Sequence, residues 1–153
     1  MRRILLAVFL LLGGQHASFA VDLNFTGTLA GVCTLGLSSP GTLGLSPDGS
    51  RLSSEQGLAA VLTVVSVGTN KITVSPPVWA ASPSGYLTNG ETLEVSYSGL
   101  GGLASVNHSF TAASSEFTIS TLPLTLVNVH ARAHNLAGFA AGNYLMKVLV
   151  TCS

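Results

Sequence analysis

Charge is what this chain has least of. Only 8% of its 153 residues are charged, six Lys and Arg against six Asp and Glu. So thin a charge offers no basic surface to nucleic-acid phosphates, and the abundance of Val, Leu, Thr and Ser excludes a disordered, solvating chain. Blocks of Ala, Glu, Lys and Leu that build long surface helices are missing, so no helix longer than one turn is expected. Beyond Ile4 to Leu12 no run is apolar enough to concern a membrane, and that one is too short for a stable anchor. Two cysteines, Cys33 and Cys152, have no nearby ligands that would make a zinc site of them.

Catalytic signatures are equally scarce. Serines abound, yet no Gly-x-Ser-x-Gly elbow exposes one as a nucleophile. Glu91 and Glu94, three apart at a strand start, fall on opposite faces and do not form an acid/base pair. Gly99-Leu-Gly-Gly102 lacks the strand-to-helix setting that cradles a phosphate. His130 and His134 would share a helix face, but on a strand they stand roughly 13 Å apart and cannot share a metal. His108 has no acidic or cysteine neighbour in sequence, and Trp79, Tyr86 and Tyr97 are better read as packing residues than as a sugar-stacking platform. No enzyme activity, cofactor, metal, nucleic-acid partner or small-molecule substrate is expected.

What is present begins with an export pattern. Arg2 and Arg3 precede the apolar run, and Ser18-Phe19-Ala20 makes a small-x-small cleavage site, so residues 1–20 are expected to be a signal peptide cut after Ala20; an uncleaved interfacial segment is the second reading. Export through the secretory pathway is then expected. Residues 21–153 form one domain by length, with four basic against six acidic residues and a net charge of −2. In an oxidising compartment Cys33 and Cys152 are expected to form one disulfide that closes nearly the whole domain, the alternative being free thiols or a metal pair.

Short alternating runs separated by Gly, Pro, Ser and Asp turns then predict an all-β, immunoglobulin-like β-sandwich of seven or so strands. Strands are expected over Gly31 to Leu37, Thr42 to Leu45, Leu58 to Val67, Lys71 to Val74, Thr92 to Tyr97, Ala104 to Phe110, Glu116 to Ser120, Leu124 to Ala133 and Tyr144 to Cys152. Gly68-Thr69-Asn70 reads as a hairpin turn, and Pro76-Pro77 as a break in the ladder. On the last strand Tyr144, Met146, Val148 and Val150 point inward.

The first stretch after the cleavage site, VDLNFTGTL, also alternates: Val21, Leu23, Phe25, Gly27 and Leu29 share one face, with Asp22, Asn24, Thr26 and Thr28 opposite. Ala30-Gly31 follows as a flexible joint. Either this is the first strand of a complete sandwich, or it leaves its own domain and completes another.

The stretch Val129-His-Ala-Arg-Ala, with Ala140-Ala-Gly-Asn-Tyr-Leu-Met-Lys-Val-Leu-Val-Thr-Cys152 and, near the beginning, Val32-Cys-Thr-Leu and Leu43-Gly-Leu45, resembles the spore coat protein U family and related archaic chaperone-usher pilins. The resemblance implies an incomplete immunoglobulin-like sandwich whose groove is filled first by a periplasmic chaperone and then by a neighbouring subunit's amino-terminal strand, at an outer-membrane usher. It makes Val21, Leu23, Phe25, Gly27 and Leu29 a donor strand, and Tyr144, Met146, Val148 and Val150 the edge of the acceptor groove. The expected domains are then residues 1–20 as signal, 21–31 as donor strand and joint, and 32–153 as the sandwich. The expected function is that of a structural subunit of a pilus or surface fibre. A monomeric secreted binding or coat protein of the same fold is the alternative.

Overall fold

The structure, a computed structural model, describes residues 32–88, 90–100, 106–120 and 124–153. Val21 to Leu29 and the signal segment lie outside them. Among the described residues the fold is all-β: β1 (Val32–Ser39), β2 (Thr42–Leu45), β3 (Arg51–Leu58), β4 (Ala60–Val67), β5 (Thr69–Val74), β6 (Val78–Ala81), β7 (Thr92–Gly99), β8 (His108–Thr111), β9 (Ser115–Ser120), β10 (Thr125–His134), β11 (Leu145–Lys147) and β12 (Val150–Cys152).

Every pairing is antiparallel, and the strands form two layers. In the first, β10 is central: β7 lies along one side of it and carries β8, while β4 and then β3 lie along the other. Outside these, β1 pairs β4 and β2 pairs β3, so β1 and β2 together make that layer's edge. In the second layer β12 pairs β5 and β5 pairs β9, with β11 on β6 continuing the same direction past Pro76 and Pro77. The prolines interrupt the ladder because they have no N–H to give. Ser75 bridges the gap by donating its N–H to the Leu149 carbonyl at 2.9 Å.

Alternation decides which face is buried. On β10, Thr125, Val127 and Ala133 are buried while Leu126 is exposed, and on β9 Ser115, Phe117 and Ile119 are buried between exposed neighbours. The core joins Leu62, Val64, Val95, Tyr97 and Val127 of the first layer to Ile72, Val74, Phe117 and Ile119 of the second.

Four expectations change. The strand expected over Ala104 to Phe110 is, among the described residues, His108–Thr111. Gly68, at a φ of 82°, does turn the chain, but β4 and β5 go to different sheets. It is a crossing between layers rather than a hairpin, because β4 is flanked on both sides by β1 and β10 and has no free edge to offer β5. The expected strand from Leu58 begins at Ala60, and β3, unmarked by alternation in Arg51 to Leu58, precedes it. The last strand is divided at Val148-Leu149, opposite the two prolines.

The turn before β3 is held by its side chains. Ser46 and Ser50 donate hydrogen bonds to the Asp48 carboxylate, chiefly Ser46, and these lower its pKa from 3.8 to about 2. Hydrogen bonds to the charged form are what depress it, so their contribution is present above the unfolded value and is lost as pH falls through the folded one. An NMR titration of the Asp48 carboxyl should show a midpoint near 2, and Ser46→Ala should move it toward the ordinary value. In the core, Ile72 is wholly buried; Ile72→Ala should lower the unfolding free energy in denaturant titrations by about 2 to 5 kcal/mol.

Candidate functional site: an apolar groove between two strand edges

The inner face of the first layer is filled unevenly. Val64, Val95, Tyr97 and Val127 belong to the core shared with β5 and β9. Beside them, toward β3, the inward positions Ala60, Ala131 and Ser54 are small, and a cavity of about 720 Å³ opens over them.

Its floor follows from an irregularity in β3. Between the pairs Thr42 with Leu58 and Gly44 with Ser53, the single residue Leu43 faces four residues of β3. The bulge is tolerated because Gly44 and Gly57 stand where a Cβ would strike the opposite backbone; at Gly44 it would lie 2.5 Å from the Gln56 carbonyl oxygen. Ser54 replaces the interrupted ladder with its hydroxyl, which accepts the Ala131 N–H at 3.0 Å and shares a hydrogen bond with His130 Nδ1 at 3.1 Å. Sequence reasoning missed this serine, since only the bulge turns it toward the cavity.

The walls are strand edges. Leu37 and Leu43 line the cavity from β1 and β2, and Tyr144, Met146, Val148 and Val150 line it from the segment that carries β11 and β12. β1 pairs only β4, β2 only β3, β11 only β6 and β12 only β5, so among the described residues both facing edges lack a ladder partner. Unpaired edges of this kind are templates for strand addition.

One end of the groove is shut. Cys33, at the start of β1, is disulfide-bonded to Cys152, at the end of β12, with Cα atoms 6.2 Å apart. A strand between two others needs roughly twice the 4.8 Å interstrand spacing, so none can pass between the edges at the disulfide. Away from it the cavity lies between the edges, lined by Leu37 and Leu43 on one side and by Tyr144 and Met146 on the other.

The other end is bounded by rings. Tyr144 lies 5.4 Å from Trp79, 5.2 Å from Tyr86 and 5.6 Å from Phe139 between ring centroids. Glu91 accepts a 2.6 Å hydrogen bond from Trp79 Nε1 and a 3.4 Å one from the Tyr86 hydroxyl. Withdrawal from water pushes the Tyr86 and Tyr144 phenols above their ordinary range, with the Glu91 charge adding to it. Tyr97 is not part of this cluster; it is buried against Phe117, with ring centroids 5.0 Å apart.

The remaining candidates stay apart. His130 and His134 lie on the outward face of β10, Glu94 pairs with Arg132 at 2.7 Å, and Arg132 covers the Phe110 ring at 3.9 Å. No group of three His, Cys, Asp or Glu residues among the described ones is placed to hold a metal. No protein-family model, curated protein or solved structure matches the chain.

The disulfide joins residues 119 apart in sequence, and in the chain-entropy model such a closure is worth about 4 to 5 kcal/mol. Replacing both cysteines by serine should lower the denaturant midpoint accordingly. Mass mapping of non-reduced peptides should recover the Cys33 and Cys152 peptides as one species.

Proposed function

We propose that the chain is an exported structural subunit of a chaperone-usher-type pilus or surface fibre, polymerised by donor-strand exchange. In this reading the described domain is an immunoglobulin-like sandwich that lacks a strand. The observation that carries it is the apolar groove between two unpaired edges, because a missing strand would leave such a space.

Val21 to Leu29 matches that space in pattern. Nine residues of strand span roughly 26 Å, and Tyr144 to Val150 along the groove wall takes about 20 Å of that before the disulfide closes the space. Leu29, Gly27, Phe25 and Leu23 meet the inward positions Tyr144, Met146, Val148 and Val150, and Val21 lies at the closed end. Burying the three large side chains Leu23, Phe25 and Leu29 at about 1.5 to 3 kcal/mol each supplies roughly 4.5 to 9 kcal/mol before ordering costs, beside two new ladders of main-chain hydrogen bonds.

The closed end gives the donor a direction. Its carboxy-terminal end must continue through Ala30-Gly31 into its own domain, and no chain can leave past the disulfide. The free amino terminus therefore points at Cys152 and Leu29 lies at the ring-lined end. The donor then runs antiparallel to β11 and β12, with Gly27 near Met146, where a large side chain already occupies the groove.

Such a groove would be covered in the periplasm by a chaperone and passed at an outer-membrane usher to the next subunit. Assemblies of the mature chain should run as ladders in mild detergent. Deleting residues 21–29 should abolish the ladders and leave a domain that binds synthetic VDLNFTGTL; Phe25→Asp in that peptide should weaken binding at least a hundredfold. A stable monomer whose own residues 21–29 pair within it would overturn the proposal.

A further inference from the structure

Exposed apolar side chains occur on several faces, Leu45 and Leu58 at β2 and β3 and Val78, Leu145 and Leu149 on the second layer among them, and two further sets lie toward opposite ends of the molecule. On the outer face of the first layer Val32, Val65, Leu124, Leu126 and Leu100 are all exposed. They form one band: Val32 pairs Val67, Val65 follows Val64, which pairs Thr125, and Leu100 donates its N–H to the Leu126 carbonyl at 2.8 Å. The upper half of the same face instead carries Glu94, Arg132 and His134. The band lies toward the disulfide end, since Val32 adjoins Cys33.

The second set lies at the opposite, open end. Leu136 and Leu87 are 89% and 82% exposed, the two highest values among the large apolar residues. Neither is on a loose loop. Leu136 sits in a turn closed by Gly138 N–H to the Asn135 carbonyl and by Ala137 N–H to Asn135 Oδ1, both 2.9 Å. Leu87 follows a turn in which Tyr86 donates its N–H to the Pro83 carbonyl, and the two turns are tied together by Asn135 Nδ2 donating to the Tyr86 hydroxyl at 2.9 Å. These hydrogen bonds fix both turns at one end of the molecule with their leucines held out to water, where a partner surface would cover them.

We propose that these two surfaces bind each other between successive copies of the chain, the Val32 to Leu126 band of one resting on the Leu87 and Leu136 turns of the next. The inference rests on the donor-strand reading and identifies the second contact such an assembly makes. Only Ala30 and Gly31 separate Leu29 from Val32, so three Cα steps of 3.8 Å keep Val32 within about 11 Å of the acceptor's open end. The band cannot be far from the turns once the donor is seated. The two patches differ from one another, so the contact is head-to-tail and propagates without closing, as a fibre requires.

Leu126→p-benzoylphenylalanine, introduced into the full chain and irradiated after assembly, tests this. Mass spectrometry should find cross-links from position 126 to peptides holding residues 83–88 or 135–139 of another copy, and Leu136→Asp should abolish them while detergent-resistant ladders persist. Ladders with cross-links only from band to band, or with none between copies, would overturn the end-to-end contact and leave donor exchange standing. Absence of ladders altogether would overturn both. Because Leu126 and Leu136 are exposed, neither substitution should disturb folding; binding of VDLNFTGTL by chains lacking residues 21–29 checks that directly.

Discussion

The Cys33–Cys152 bond is the constraint on which the rest of this architecture turns. It ties the first described strand to the last, and those strands are the free edges of two different layers. Without it no cross-link ties β1 to β12, and the two sheets meet chiefly through the core. With it, the edges are held too close at one end for a strand to lie between them, and the cavity beyond is closed at that end. A covalent bond between edges thus converts two strand-addition liabilities into a single shaped site.

The groove is also a consequence of side-chain size. The core beside it is filled by Val, Ile, Phe and Tyr from facing layers. Within the groove, Ala60, Ala131 and Ser54 occupy inward positions and the β3 bulge displaces backbone from the floor. Removing apolar volume from half of a sandwich is destabilising unless something else supplies it. Met146, Val148 and Val150, turned toward this space from the opposite layer, extend the interior to the edge instead of ending it in polar residues.

The sequence made this partly legible. Tyr144, Met146, Val148 and Val150 share a face because a strand alternates with period two, and no tertiary knowledge is needed to see it. The β10 faces and the disulfide were readable for similar reasons: one long alternating run, and two cysteines without another partner. What failed to show were features set by the opposite strand. β3 does not alternate, since its bulge lets Ser53 and Ser54 both be buried beside Leu52. Nor can Gly68 announce whether the chain folds back or crosses, because that depends on whether β4 has an edge to spare. The pairing of Trp79 and Tyr86 with Phe139 and Tyr144, instead of with Tyr97, is likewise decided by which turns meet at the end of the molecule.

The distribution of polarity over the outer surface extends the same logic. A chain this poor in charge has few residues with which to keep sheet faces apart; Glu94 pairs with Arg132 on the upper outer face of the first layer and Lys71 with Glu116 on the second. The lower outer face is left aliphatic, and the opposite end displays leucines on tied turns. In a free monomer both would favour unspecific association. In the proposed fibre a short tether between them would remove that ambiguity, because it would raise the effective concentration of one contact far above that of any other. The groove and the two patches would then share one explanation, a domain whose apolar surface is completed by copies of itself.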